Sequence, residues 1–231
     1  MNNIFLVFGY GIPKEILKDE NYNFYLKMVF NKIYDFTSKD RLSKTLIIFC
    51  GGKTDTFRPY ERTEADEMKR FFVEIIKKRP FLEPISKKWI FISERESLST
   101  LENLLNGKKS IQKRKIKKVN LFIFCEQTRG KRIEIMSRRV FGGDYKIKVL
   151  PIDFDVSPNR YLPPNFLAEK EKTEIEHALW ALRDPENLKK HHAIFEEKFE
   201  YFRELGPKLH NDAVRKWWKK KLDELENQKF I

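Results

Sequence analysis

The sequence predicts an open, mainly parallel, five-stranded α/β sheet of Rossmann-like type, with helices on both faces and a helical C-terminal extension. Three observations lead there: five short runs with strand character, helical spacing in the segments between them, and no further strand signal after Val156. Runs that lack a polar face suit strands covered on both sides, as in a parallel sheet. Strand–helix–strand crossovers are right-handed and so distribute helices over both faces.

In chain order, the strands are expected at Ile4 to Phe8, Thr45 to Cys50, Trp89 to Ile92, Val119 to Phe124 and Tyr145 to Leu150. The first four are almost continuously apolar, and the fifth alternates at Tyr145, Ile147 and Val149. Helical spacing joins Ala65, Met68, Phe72, Ile75 and Ile76, and again Ile133, Met136 and Val140. Thr63 with Asp66, and Ser99 with Glu102, have the spacing of reciprocal N-terminal caps. Gly107 and Gly142 are expected as helix stops. Ser157, Pro158, Pro163 and Pro164 mark a linker, which divides an α/β domain (1–160) from the extension (161–231). Helices are expected from about Phe166 to Leu182, Pro185 to Leu205 and Asp212 to Asn227. Ile194, Phe195, Phe199 and Phe202 need a covering surface, either the α/β domain or a second copy in a homodimer.

The 231 residues carry 47 Lys plus Arg against 34 Asp plus Glu, a net charge of +13, and 41% are hydrophobic, which excludes a largely disordered chain. From Pro163 onward 14 basic residues face 14 acidic ones, so the whole excess lies before the extension. Seven basic residues fall in Lys108 to Lys118, either a solvated connection or an electrostatic patch for nucleic acid or acidic headgroups. No apolar run approaches the ~20 residues of a membrane span, and Met1 to Phe8 lacks the pattern of a secretory signal, so a cytoplasmic protein is expected. Cys50 and Cys125 have neither CxxC spacing nor a nearby His, and read as small apolar residues at strand ends.

Ligands of open α/β sheets lie beyond the carboxyl ends of the strands. Here those ends lead into Gly9-Tyr10-Gly11, then Gly51-Gly52-Lys53-Thr54, then Ser93 to Ser97, then Glu126 to Arg129. Each Gly pair alone is equally a tight turn, and neither GxG nor GGKT completes a dinucleotide or P-loop fingerprint. Taken together with ERTEADEM (Glu61 to Met68), ERESLSTLEN (Glu94 to Asn103) and FIFCEQTRGKRIEIMSRRVFG (Phe122 to Gly142), they resemble the YdcF/SanA/ElyC-like family over residues 4–155. That resemblance implies a Rossmann-type bacterial domain of unknown function. Its most specific part is Ser97-x-x-Thr100-x-Glu102-Asn103, and Glu64-Ala65 also matches. Many members carry Ser-x-x-His-x-x-Arg after the fourth strand, whereas this chain keeps only the last residue as Arg132 and has Glu126 and Arg129 at the other two positions. An arginine pattern expected early in the first helix is not evident, and any His-dependent chemistry of relatives does not carry across.

His177, His191, His192 and His210 all lie in the extension, so unless it folds over the site there is no imidazole there. Carboxylate and guanidinium remain. Arg129, Arg132 and Lys53 favour an anion, or else make ordinary salt bridges with Glu126, Glu94 or Glu96. The candidate ligand-binding set is Gly9, Gly11, Gly51, Gly52, Lys53, Glu64, Glu94, Ser97, Thr100, Asn103, Arg129 and Arg132. Glu64 either interacts with its helix dipole or contacts a ribose hydroxyl or a cation; Glu64 and Glu126 are the candidates for catalysis. The leading expectation is a pocket for a phosphorylated or nucleotide-like small molecule, with S-adenosylmethionine among the candidates. The alternatives are a nucleic-acid-associated module using Lys108 to Lys118 with Trp217 and Trp218 stacking on bases, and a hydrolase or transferase acting on a phosphorylated envelope precursor.

Overall fold

The computed structural model describes residues 2–39, 44–116, 119–154, 163–206 and 211–227. Five strands, β1 (Asn2–Phe8), β2 (Thr45–Cys50), β3 (Trp89–Glu94), β4 (Val119–Glu126) and β5 (Tyr145–Ile152), form one all-parallel sheet in the order β3-β2-β1-β4-β5. Eight helices are described: α1 (Glu20–Ser38), α2 (Glu64–Lys77), α3 (Glu83–Ser86), α4 (Thr100–Gln112), α5 (Gly130–Phe141), α6 (Pro164–Ala181), α7 (Pro185–Leu205) and α8 (Asn211–Asn227). The chain moves outward from β1 to β3, then returns to place β4 on the other side of β1, which makes the β1/β4 junction the switch point of the topology.

The central strands are largely apolar because alternate residues serve two cores, whereas the edge strand β5 exposes Lys146 and Lys148. Phe5, Val7, Ile47 and Phe49 pack with Tyr25, Val29, Met68 and Phe72 of α1 and α2. Ile4, Leu6, Ile48 and Ile123 pack on the other face with Leu101, Leu104, Ile133 and Met136 of α4 and α5. Ala178 and Ala181 of α6 join this second core, and a third cluster unites Phe195, Phe199 and Phe202 with Trp217, Trp218 and Leu222. The apolar face of α7 is therefore covered within the chain. Trp217 and Trp218, expected as possible stacking platforms for bases, are buried in that cluster.

Both expected helix starts are present. Ser99 accepts from the Glu102 amide while Glu102 Oε2 accepts from the Ser99 amide, a complete capping box. Thr63 likewise accepts from the Asp66 amide, but the shorter Asp66 side chain takes the Thr63 hydroxyl proton instead of reaching the backbone. Gly142 ends α5 with φ 71°. Gly107 does not end α4, which continues to Gln112: a β-carbon at Gly107 would lie 3.2 Å from Leu6 Cδ1, so glycine permits close helix–sheet approach there. The beginning of the basic segment is thus helix, and Lys108 donates to the Val140 carbonyl at 2.7 Å. Lys117 and Lys118, and linker residues 155–162, lie outside the described residues. Among the described residues no helix is long and apolar enough to cross a membrane.

Candidate functional site

At the carboxyl edge of the sheet a cavity of about 340 Å³ opens beside the β1/β4 switch point. Its floor is Gly9 to Pro13 after β1, with Thr54, Thr56 and Glu64 on one side and Ser97 to Thr100, Asn103, Thr128 and Arg129 on the other. Its roof is the extension: Lys170 and Glu174 of α6, Phe195, Lys198, Phe199 and Phe202 of α7, and Trp218 of α8. The volume falls in the range of small-ligand sites.

Glu64, the first residue of α2, is buried against the strand tips. Its Oε1 accepts from the Gly11 amide at 2.7 Å and the Thr54 hydroxyl at 2.8 Å, whereas Oε2 makes no protein hydrogen bond among the described residues. The glycines explain how it fits. A β-carbon on Gly9 would lie 2.7 Å from Glu64 Cδ, and one on Gly51 would lie 2.6 Å from Glu64 Cβ. Gly11, at φ 86°, turns its amide onto the carboxylate from a backbone conformation that side chains disfavour. Tyr22 fixes the same loop, accepting from the Tyr10 amide at 2.5 Å and donating to the Gly11 carbonyl. Burial raises the Glu64 pKa above the ordinary carboxylate value, opposed by the Thr54 hydrogen bond and the Arg129 charge.

The two arginines that follow β4 part company. Arg132 is buried and held by Glu171, at 3.0 Å, and Glu174, both from α6. Lys170 completes this network, donating to Glu174 at 2.5 Å. Burial alone would raise the Glu174 carboxyl, but Arg132 and Lys170 pull it down to about 2. Arg129 instead donates to the Gly9 carbonyl at 3.2 Å and lies 4.9 Å from the centroid of the Tyr10 ring. Among the described residues it makes no ion pair. Burial disfavours its charge, but Tyr10, Glu126 and Glu64 more than compensate and its pKa is raised, so it stays cationic. Lys198 also has no ion pair or hydrogen bond among the described residues, and the rings of Phe199 and Trp218 stand 4.7 and 5.5 Å from its amine.

The start of α4 serves two purposes. Ser97, Thr100 and Asn103 line the cavity, and Asn103 Oδ1 is buried without a hydrogen-bond partner among the described residues. Ser99 and Glu102 dock the extension: His191 Nε2 lies 3.2 Å from Ser99 Oγ, and His192 Nδ1 pairs with Glu102 Oε1. Behind His191, its Nδ1 faces His177 Nδ1 at 3.0 Å. One proton suffices for that contact, and two would put donor against donor. Burial lowers the His177 pKa to about 4; burial and the charge of a protonated His177 lower that of His191 to about 3. The extension thus brings imidazoles to the rim, although none among the described residues lines the cavity, and His210 lies outside them.

Of the residues expected at the site, Gly9, Gly11, Glu64, Ser97, Thr100, Asn103, Arg129 and Arg132 line the cavity. Gly51 and Gly52 lie behind it, Gly51 against Glu64 and Gly52 against the backbone of residues 95–97. Lys53 is exposed, and its carbonyl accepts from Arg203 at 2.5 Å. Glu94 shapes a loop by accepting from the Glu96 and Ser97 amides at 2.8 and 3.2 Å. Glu126 does the same for the turn before α5, accepting from the Thr128 amide at 2.8 Å and from its hydroxyl. Sequence reasoning missed Lys170, Glu171, Glu174 and Lys198. Only Lys198 leaves a sequence signal: it sits between Phe195, Phe199 and Phe202, a charge inside an apolar stripe.

Fold and site together define a Rossmann-like α/β protein whose switch-point cavity is roofed by its own C-terminal helices. The chain matches no family model, no curated protein and no solved structure.

Proposed function

We propose that this chain is a YdcF-like protein that binds a small phosphorylated or nucleotide-like anion in the switch-point cavity. The observation that carries the reading is that Arg129 and Lys198, both half-buried, line one cavity while neither is paired with a carboxylate among the described residues. Partly desolvated basic groups without an ion pair are suited to an incoming anion. The buried Asn103 Oδ1 and Glu64 Oε2, both without a hydrogen-bond partner among the described residues, supply acceptors for ligand hydroxyls or amino groups. Phe195, Phe199, Phe202 and Trp218 offer apolar ring surface for a base. S-Adenosylmethionine suits this donor set less well than a phosphorylated compound: its carboxylate matches Arg129 and its ribose hydroxyls Glu64, but its sulfonium and ammonium give it a net positive charge.

A thermal-shift panel of nucleotides, sugar phosphates and S-adenosylmethionine tests the proposal. A ligand at one hundred times its dissociation constant adds about 2.7 kcal/mol, a readily measured shift. Arg129→Met is expected to abolish the response while leaving the unliganded protein folded. A flat panel, or a response unchanged in Arg129→Met, overturns the reading.

A further inference from the structure

The half-buried Lys198 differs from the two buried lysines described in the extension. Lys170 is held by Glu171 and Glu174, and Lys221 by Glu197 and Glu224. The Lys198 amine instead has four rings about it, with centroids at 4.7 Å (Phe199), 5.5 Å (Phe202 and Trp218) and 5.6 Å (Phe195). Such rings attract an ammonium weakly and give it no strong hydrogen-bond acceptor. The charged groups that act on it are Lys170 and Glu174 of α6, Arg129, and Glu64 of α2. Burial, then Lys170, depress its pKa to about 7, with Arg129 acting in the same sense and both carboxylates against it. The direction of that shift favours the uncharged, nucleophilic form of the amine more than at an ordinary lysine. A lysine desolvated among apolar groups beside other cations is the usual setting for imine chemistry.

We propose that Lys198 is an imine-forming lysine whose amine condenses with a small aldehyde or ketone, while Arg129 holds the phosphate or carboxylate of the same molecule. This rests on the anion-binding reading above and specifies its ligand as a carbonyl compound. The Nζ lone pair attacks the carbonyl carbon, forming the C–N bond, and the C=O π pair moves to oxygen. Nitrogen loses a proton and oxygen gains one to give a carbinolamine. A second proton on oxygen lets the C–O bond break, water departs, and the nitrogen lone pair closes C=N as a protonated imine. No electrons are gained or lost overall.

The test uses the full-length protein with pyridoxal 5′-phosphate, a phosphorylated aldehyde, followed by borohydride reduction and peptide mass spectrometry. The expected result is labelling at Lys198 at least tenfold faster than at any surface lysine, rising with pH around 7 and absent in Lys198→Met. Arg129→Met should slow it about tenfold. Labelling spread over surface lysines, with Lys198 not preferred, overturns the proposal. If pyridoxine 5′-phosphate, which lacks the carbonyl, stabilises the protein yet no adduct forms at Lys198, the imine is overturned and anion binding stands. If unphosphorylated pyridoxal labels Lys198 as fast as its phosphate, the reactive amine stands and the anion reading fails. Lys198→Arg, which keeps the charge, controls for any loss of folding in the Met variant.

Discussion

Mild acid should loosen the roof of the cavity before it damages the sheet. His177 and His191 are both nearly inaccessible, at 3% and 4% exposure, and join α6 and α7 to Ser99 at the cavity rim. Their pKa values fall from 6.5 in the unfolded chain to about 4 and about 3 when folded. A histidine with a depressed folded pKa contributes fully above 6.5, and its contribution declines as pH falls from there toward the folded value. Between pH 7 and pH 5 the unfolded chain takes up about three-quarters of a proton per ring while the folded chain takes up almost none. At 1.36 kcal/mol per unit, the loss is about 1.8 kcal/mol per ring and at most about 3 to 4 kcal/mol for the pair. His192 works in the opposite direction, its pKa raised by Glu102 and Glu196 against burial, but it is half-exposed and its effect is screened. Glu174, held down at about 2, remains ionised throughout this window. Urea unfolding followed by tryptophan fluorescence is weighted to the roof, since three of the four tryptophans, Trp180, Trp217 and Trp218, lie in α6 and α8 and only Trp89 lies in the sheet; a Trp89→Phe background isolates the roof signal. The wild type should lose several kcal/mol from pH 7 to pH 5, and the His177→Asn/His191→Gln variant much less. Equal slopes for the two proteins would refute the assignment to the imidazoles.

Three further substitutions probe how the site is held. Arg132→Met leaves Glu171 and Glu174 with only Lys170, and breaking a buried network from one side should cost about 3–5 kcal/mol in denaturant unfolding. The same variant should show a raised Glu174 pKa by NMR titration, since Arg132 is the first of the groups lowering it. Gly9→Ala places a β-carbon 2.7 Å from Glu64 Cδ and should cost about 1–3 kcal/mol by overpacking; Glu64→Ala in the same chain should recover part of that loss. Ser99→Ala removes the α4 cap and the His191 partner together, for an expected loss of about 2 kcal/mol, measurable as a lowered denaturation midpoint.

The sheet was legible because parallel strands buried on both faces leave uninterrupted apolar runs, and all five runs start within two residues of the observed strands. Their ends were less clear. The ladders continue past the expected ends through Ser93-Glu94, Cys125-Glu126 and Pro151-Ile152: backbone pairing does not require an apolar side chain at Glu94 or Glu126, and Pro151 interrupts the strand signal before the buried Ile152. Gly107 shows the limit of reading punctuation alone. A glycine near the end of a helical pattern signals either a left-handed stop or a close neighbour, and Leu6 across the core decides for the second.

The cavity floor was legible for the same topological reason, since the strand ends of a parallel sheet must converge. The roof was not. On α6, Lys170, Glu171 and Glu174 have the spacing of an ordinary solvated helix face, and only the fold turns that face inward. This inversion bears on the sign of the ligand. The α/β domain brings Arg129 and Arg132 to the edge, and the electrically balanced extension covers them with two cations of its own, Lys170 and Lys198, and two carboxylates, Glu171 and Glu174. Those carboxylates are spent on Arg132 and Lys170, and on the floor Glu64 is tied to Gly11 and Thr54. Arg129, from the α/β domain, and the Lys198 amine, from the roof, are left without a carboxylate partner among the described residues, and both line the same space. A cationic ligand would have to displace an established pair to find its counter-charge, whereas an anionic one completes the set.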